Sequence, residues 1–156
     1  MKAISLWQPW ATLMALGIKT IETRSWSTEH RGYLAIHATS NFPKEARDLC
    51  YESPFKDVLT LYNGGFKPEM LPRGKVLAVV NLTTVLSTIV VSPNPLNYAF
   101  GDFSPGRFAW LTRNVVQLPW FVEASGRQGL WNWDIPDQFQ VLFQDNRLWG
   151  GDTDAE

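Results

Sequence analysis

Residues 74–86 read Gly-Lys-Val-Leu-Ala-Val-Val-Asn-Leu-Thr-Thr-Val-Leu. The run is almost continuously apolar and rich in β-branched residues. That is the pattern of a central strand buried on both faces. Before it, strands and helices alternate. After residue 62 the alternation stops, and a doubly wound parallel sheet needs it throughout. The run therefore points to a small curved sheet closing into a partial barrel, with helices inserted early.

On the N-terminal side, residues 3–7 alternate like a short strand. Pro9 suits the first position of a helix. Trp10, Leu13, Met14 and Gly17 then fall at helical spacing, and Gly17 makes a left-handed stop. Residues 18–24 alternate with β-branched residues and predict a second strand. Residues 25–31 predict a polar loop, and 32–38 a third strand. A helix capped by Asn41 or a neighbour, with Pro43 in its first turn, is predicted to run to about Tyr51. A second helical piece spans Pro54 to Leu61. On the C-terminal side, residues 92–106 are rich in Pro, Asn and Gly and predict a long loop, of a length that is often functional. Strand pieces are expected at 107–111, 115–118 and 129–134. Residues 138–143 fit either a weak helix or a strand.

The chain has 156 residues, 45% of them hydrophobic and 19% charged, which suits one folded domain. We assign residues 1–149 to that domain and expect 150–156 to be a frayed acidic tail. Cys50 is the only cysteine, so no disulfide forms within the chain and no cysteine-based metal site exists. Two histidines without a second ligand cluster give no metal signature. No signal-like or membrane-spanning run is seen, so a cytoplasmic location without membrane contact is expected.

Net charge is −1. Residues 134–156 carry six carboxylates against Arg147 and sum to −5, which leaves about +4 on the rest. The tail is either a solvated segment or a mask over a weak polyanion site. This balance argues against bulk duplex binding through phosphates, but not against a short strand or a single base.

The densest chemistry lies in Gly17-Ile18-Lys19-Thr20-Ile21-Glu22-Thr23-Arg24. Three charges in six residues, framed by apolar segments, are hard to bury without pairing. Strand alternation puts Glu22 and Arg24 on one face and Lys19 on the other. A joint Lys19–Glu22 site therefore requires a turn near Thr20. Ordinary surface charges on an edge strand are the competing reading. Eight tryptophans supply core and cleft walls, and Trp7 and Trp10 flank Gln8 and Pro9, a planar wall with an amide beside it. Packing of Trp10 on the helix's core face is the other reading. His37 lies mid-strand as a core or cleft histidine. His30 is expected on an exposed loop, Cys50 is read as inert, and Ser5 and Ser125 lack a readable base partner.

The pattern G-x-K-x-x-E-x-R after a strand and short helix resembles the signature of the ASCH family. Residues 5–11 are similar to that family's opening segment and 31–38 to its third element. Residues 106–110, which include Trp110, look like a later strand of its larger bacterial and phage-type members. Pro119 and residues 126–131 resemble its closing segment. The resemblance implies a mixed α/β, PUA-like small curved β-barrel with two or three peripheral helices. It also implies a cleft for RNA or a nucleoside- or nucleotide-like molecule, with no cofactor.

Lys19 and Glu22 are the catalytic candidates that follow. Trp7, Gln8, Pro9, Trp10, Arg24, His37 and Trp110 are the ligand-binding candidates. One small branch hydrolyses the amide of N(4)-acetylcytidine with a lysine and threonine of the motif and a distant glutamate. Lys19 matches that lysine, but Glu22 stands at the threonine's place. Other members are ribonucleases. A binding module, a small hydrolase and a protein-interaction domain with a vestigial cleft are therefore the three functions carried forward.

Overall fold

The computed structural model describes residues 1–63 and 67–144. Six strands form one sheet: β1 (Lys2–Leu6), β2 (Ile21–Arg24), β3 (Gly32–Ala38), β4 (Lys75–Ser87), β5 (Phe108–Glu123) and β6 (Leu130–Asn132). Their order across the sheet is β2-β5-β4-β3-β1-β6. Only β1 and β3 run parallel; every other pair is antiparallel. The sheet curls into a half-barrel, so the mixed α/β, PUA-like fold expected from the sequence is the one observed.

The described helices are α1 (Trp10–Ala15), α2 (Lys44–Leu49), α3 (Phe55–Asn63), α4 (Pro95–Ala99) and α5 (Asp137–Gln140). Five is more than the two or three expected. The extra ones are the short α4 and α5. The predicted 92–106 loop is thus interrupted by α4, whose N-cap Asn94 accepts the Asn97 N–H at 2.8 Å. Asn94-Pro95 is a cap followed by proline at the first helical position, and that signal was present in the sequence. Residues 107–111 and 115–118 are one long strand, not two. The polar Thr112-Arg113-Asn114 reads as a break, and Asn114 does adopt a left-handed φ of 54°. The ladder absorbs it through bulges against β4.

Strand β4 lies third across the sheet, and its two faces serve different cores. Leu77, Val80 and Leu82 join Ile4, Leu6, Leu34, Ile36 and Trp110 under α1, which contributes Ala11 and Met14. Val76 and Val79 join Ala3, Ala35, Leu118, Trp131, Trp133 and Phe139 on the other face. A third cluster packs α2, α3 and α4 together through Phe42, Ala46, Cys50, Phe55, Leu59 and Phe100. Apolar burial at roughly 25 cal/mol per Å² is the main force holding these layers.

Smaller differences also have local causes. Pro9 is the N-cap of α1, one residue outside the helix, and no side chain caps α2 at Pro43. His30 is half-buried, because a ring nitrogen lies 2.8 Å from the Tyr33 carbonyl. Residues 18–20 are a turn, not strand. The Ile18 and Lys19 N–H groups both donate to the Leu13 carbonyl at 3.1 Å, with Gly17 between at φ 71°. The expected acidic tail at 150–156 falls outside the described residues.

Candidate functional site

Strand β2 starts only at Ile21 because the preceding amides are bonded elsewhere. Asn97 of α4 is buried, and its Oδ1 accepts the N–H groups of Thr20 at 2.9 Å and Ile21 at 3.1 Å. Its Nδ2 donates to Thr20 Oγ1 at 3.0 Å. Further along, Thr23 Oγ1 accepts the Asp102 N–H at 2.9 Å. These bonds stitch α4 and the chain after it to the charged motif, 76 to 79 residues away.

The turn at Thr20 brings Lys19 round to Glu22, as a joint arrangement requires. Lys19 Nζ lies 3.8 Å from Glu22 Oε1. The lysine side chain is completely buried. Its ammonium donates to the Ile21 carbonyl at 2.6 Å and to the Phe100 carbonyl at 3.1 Å. Burial pushes the Lys19 pKa down; Glu22 opposes this and Arg24 adds to it. Glu22 keeps one oxygen on the Thr23 N–H at 2.7 Å. Arg24 donates to the Ser5 carbonyl at 2.8 Å, and its Nε is buried without a hydrogen-bond partner among the described residues.

Beside this motif lies an open cavity of about 680 Å³. Trp7, Trp10 and Trp26, with Phe55 and Phe100, supply its aromatic surface, and Glu22, Arg24, Asp102 and Arg107 its charges. That combination of apolar wall and few polar groups is how small-ligand sites are built. Trp7 is 49% exposed. Trp10 also packs edge-on to Phe55 at 5.9 Å, so it serves core and cleft together. Arg107 is tied to Asp102 by an ion pair of 3.4 Å.

A second cavity of about 700 Å³ adjoins the first and contains His37. Trp131 Nε1–H can only donate, and it donates to Ser5 Oγ at 3.1 Å. The Ala124 carbonyl can only accept, so His37 Nε2 carries the proton at 2.8 Å from it. The Ser5 hydroxyl therefore donates to His37 Nδ1 across 3.0 Å. Ser5 thus has a basic partner that its sequence neighbourhood did not reveal; parallel pairing of β1 and β3 sets the two opposite each other. Burial pushes the His37 pKa down, against the opposing pull of the Ala124 bond.

Of the catalytic and ligand-binding candidates named from the sequence, Trp7, Trp10, Glu22, Arg24 and His37 line these two cavities. The others do not. Lys19 faces carbonyls, as above. Gln8 is fully buried: its amide donates to the Pro72 carbonyl at 2.7 Å and accepts the Thr12 N–H at 3.0 Å. Pro9 is buried beside it. Trp110 is a core residue with no exposed surface; its Nε1–H donates to the Trp26 carbonyl and its ring meets Trp26 edge-on at 4.8 Å. Sequence reading missed Trp26, Asn97, Asp102 and Arg107. Among the described residues no group of three or more His, Cys, Asp or Glu could hold a metal ion. No described helix is long and apolar enough to cross a membrane.

Fold and cleft together define a PUA-like α/β domain with an aromatic, charge-lined groove beside a buried lysine. The ASCH domain model matches residues 4–94, and the chain belongs to that family, a PUA-like family associated with RNA binding. Its relatives include the protein named Activating signal cointegrator 1. The mouse protein is 30% identical over 134 residues and the human one 30% over 131, each covering 84% of this chain. The chain spans only 22% of the length of either relative. Both are mammalian, so the likeness of residues 106–110 to bacterial and phage members gains no support from them.

Proposed function

We propose that the groove between β1, β2 and the α4 segment binds a segment of single-stranded RNA or a nucleotide-like ligand. The observation that carries this reading is the lining of the 680 Å³ cavity: three tryptophans beside Arg24 and Arg107, with Glu22 at hand. Indole faces stack on bases. A guanidinium holds a phosphate. A carboxylate accepts the amino hydrogens of a base. The near-neutral net charge suits a ligand held through few phosphates.

The hydrolase reading draws less support. An oxyanion-stabilising lysine has to point its ammonium at the reacting carbonyl. Here that ammonium is spent on two backbone carbonyls, and Lys19 lies outside the groove. Lys19 acts instead as a positioning residue that sets Glu22 against the α4 segment.

One observation favours a companion reading as a protein-contact module. Ile89 and Val90, adjacent in the turn after β4, are 70% and 66% exposed. Changing both to Glu separates the two readings, since RNA affinity is then retained while a protein contact is lost.

The test is tryptophan fluorescence titrated with a short single-stranded RNA and with acetylated cytidine, product being assayed in the same samples. Saturable quenching by RNA without product is expected, weakened in Trp7→Ala. Turnover of either ligand would move the function to the hydrolase. Absence of any quenching would remove the RNA reading.

A further inference from the structure

The two cavities are not separate features. They share Ser5, Arg24, Trp26 and Thr39 as a common wall. Arg24 is the only charged residue of the four. It is half-buried, and the single hydrogen bond of its side chain among the described residues goes to the Ser5 carbonyl. No carboxylate of the described residues lies within ion-pair distance of it. Its Nε has no hydrogen-bond partner among the described residues. A partly buried cation without a counter-ion is costly, and an anion brought to it recovers that cost.

The chemistry on either side of this cation is matched. The first cavity offers Trp7, Trp10 and Trp26 as stacking surface and Glu22 as acceptor. The second offers the shared Trp26, the polar loop Ser125–Gly129 and the Arg127 guanidinium. Each volume lies within the roughly 300–1,000 Å³ typical of small-ligand sites. A single anion flanked by two planar, hydrogen-bonding bodies is a phosphodiester joining two nucleosides.

We infer that the groove takes two consecutive nucleotides of a single strand, one on each side of Arg24, with the phosphate that joins them on its guanidinium. This rests on the RNA-binding reading above and deepens it. The ligand class is then a dinucleotide step, not a free nucleoside and not a duplex. Each cavity alone presents too few fixed groups to hold a base tightly. Occupying both at once makes the second contact intramolecular, so affinity rises without new residues.

The experiment compares four classes of ligand on the wild-type chain by calorimetry: a single-stranded hexamer, the dinucleoside monophosphates ApA and CpC, their neutral methylphosphonate analogues, and the matching nucleoside 5′-monophosphates. The dinucleoside monophosphates should bind at least tenfold more tightly than the monophosphates. The neutral linkage should lose that advantage, and Arg24→Gln should bind charged and neutral linkages alike. Equal affinity for charged and neutral linkages, or for one nucleotide and two, overturns the inference while hexamer binding keeps the RNA reading. Failure of the hexamer to bind overturns both. The wild-type comparison stands even where Arg24→Gln fails to fold, because the charge is then removed from the ligand alone.

Discussion

Lys19 Nζ donates to the carbonyl of Phe100, 81 residues further along the chain, at 3.1 Å. Through that bond a residue of the charged motif holds one wall of the groove. Lys19→Met keeps the volume of the aliphatic stem but leaves the Ile21 and Phe100 carbonyls without their donor. Buried acceptors left unpaired cost about 1–3 kcal/mol. Urea unfolding should show a loss of that size.

Trp7 offers the opposite case. It is half-exposed at the groove's edge, so Trp7→Ala should change stability by no more than about 0.5 kcal/mol. Loss of one stacking surface should cost RNA binding about 1–3 kcal/mol, roughly 5- to 150-fold in Kd. Unfolding and binding measured on the same preparation check both halves.

His37 makes stability depend on pH. Its folded pKa lies below the ordinary value of 6.5, chiefly through burial. Below pH 6.5 the unfolded chain takes up a proton that the folded chain refuses, so stability falls as pH drops toward the folded pKa and is fully present above 6.5. His37→Gln removes this titration. The stability difference between wild type and His37→Gln should shrink from pH 7.5 to pH 5, other groups cancelling in the comparison. A difference that stays constant or widens contradicts the buried neutral imidazole.

Gly126 presses directly on the Ser5–His37 pair. A Cβ there would sit 2.5 Å from both Ser5 Oγ and His37 Cε1, and both side chains stand on paired strands. Gly126→Ala should therefore cost about 1–3 kcal/mol by overpacking. Calorimetric melting measures it.

Cys50 is buried in the third core cluster, and burial pushes its thiol up to about 11. It should stay unlabelled by iodoacetamide in the native chain at pH 8 and react fully in denaturant. Rapid native labelling would contradict the packing of α2.

Much of the fold was legible because its signals are local. The apolar run at 76–82 announced a strand buried on both faces, and Gly17 announced the end of α1. The resemblance at residues 17–24 pointed to the family whose domain model matches residues 4–94. The rest depended on distant pairings. Asn97 could not be assigned to Thr20 and Ile21 from spacing, because the two segments meet only in the folded chain. The Ser5–His37 pair needed the parallel register of β1 and β3, and no local pattern encodes that register. The carbonyl partners of Lys19, a catalytic candidate in the sequence, were hidden for the same reason: they are backbone atoms, and one belongs to Phe100.

The proposed seat of single-stranded RNA is the groove around Arg24. Its most direct test is a two-dimensional amide and indole NMR titration of the chain with a single-stranded hexamer. Saturable shifts are expected at the indole N–H groups of Trp7, Trp10 and Trp26 and at the amides of Gly101, Asp102 and Ser125–Gly129. Shifts confined to Ile89 and Val90, or no saturable shift at all, would contradict it.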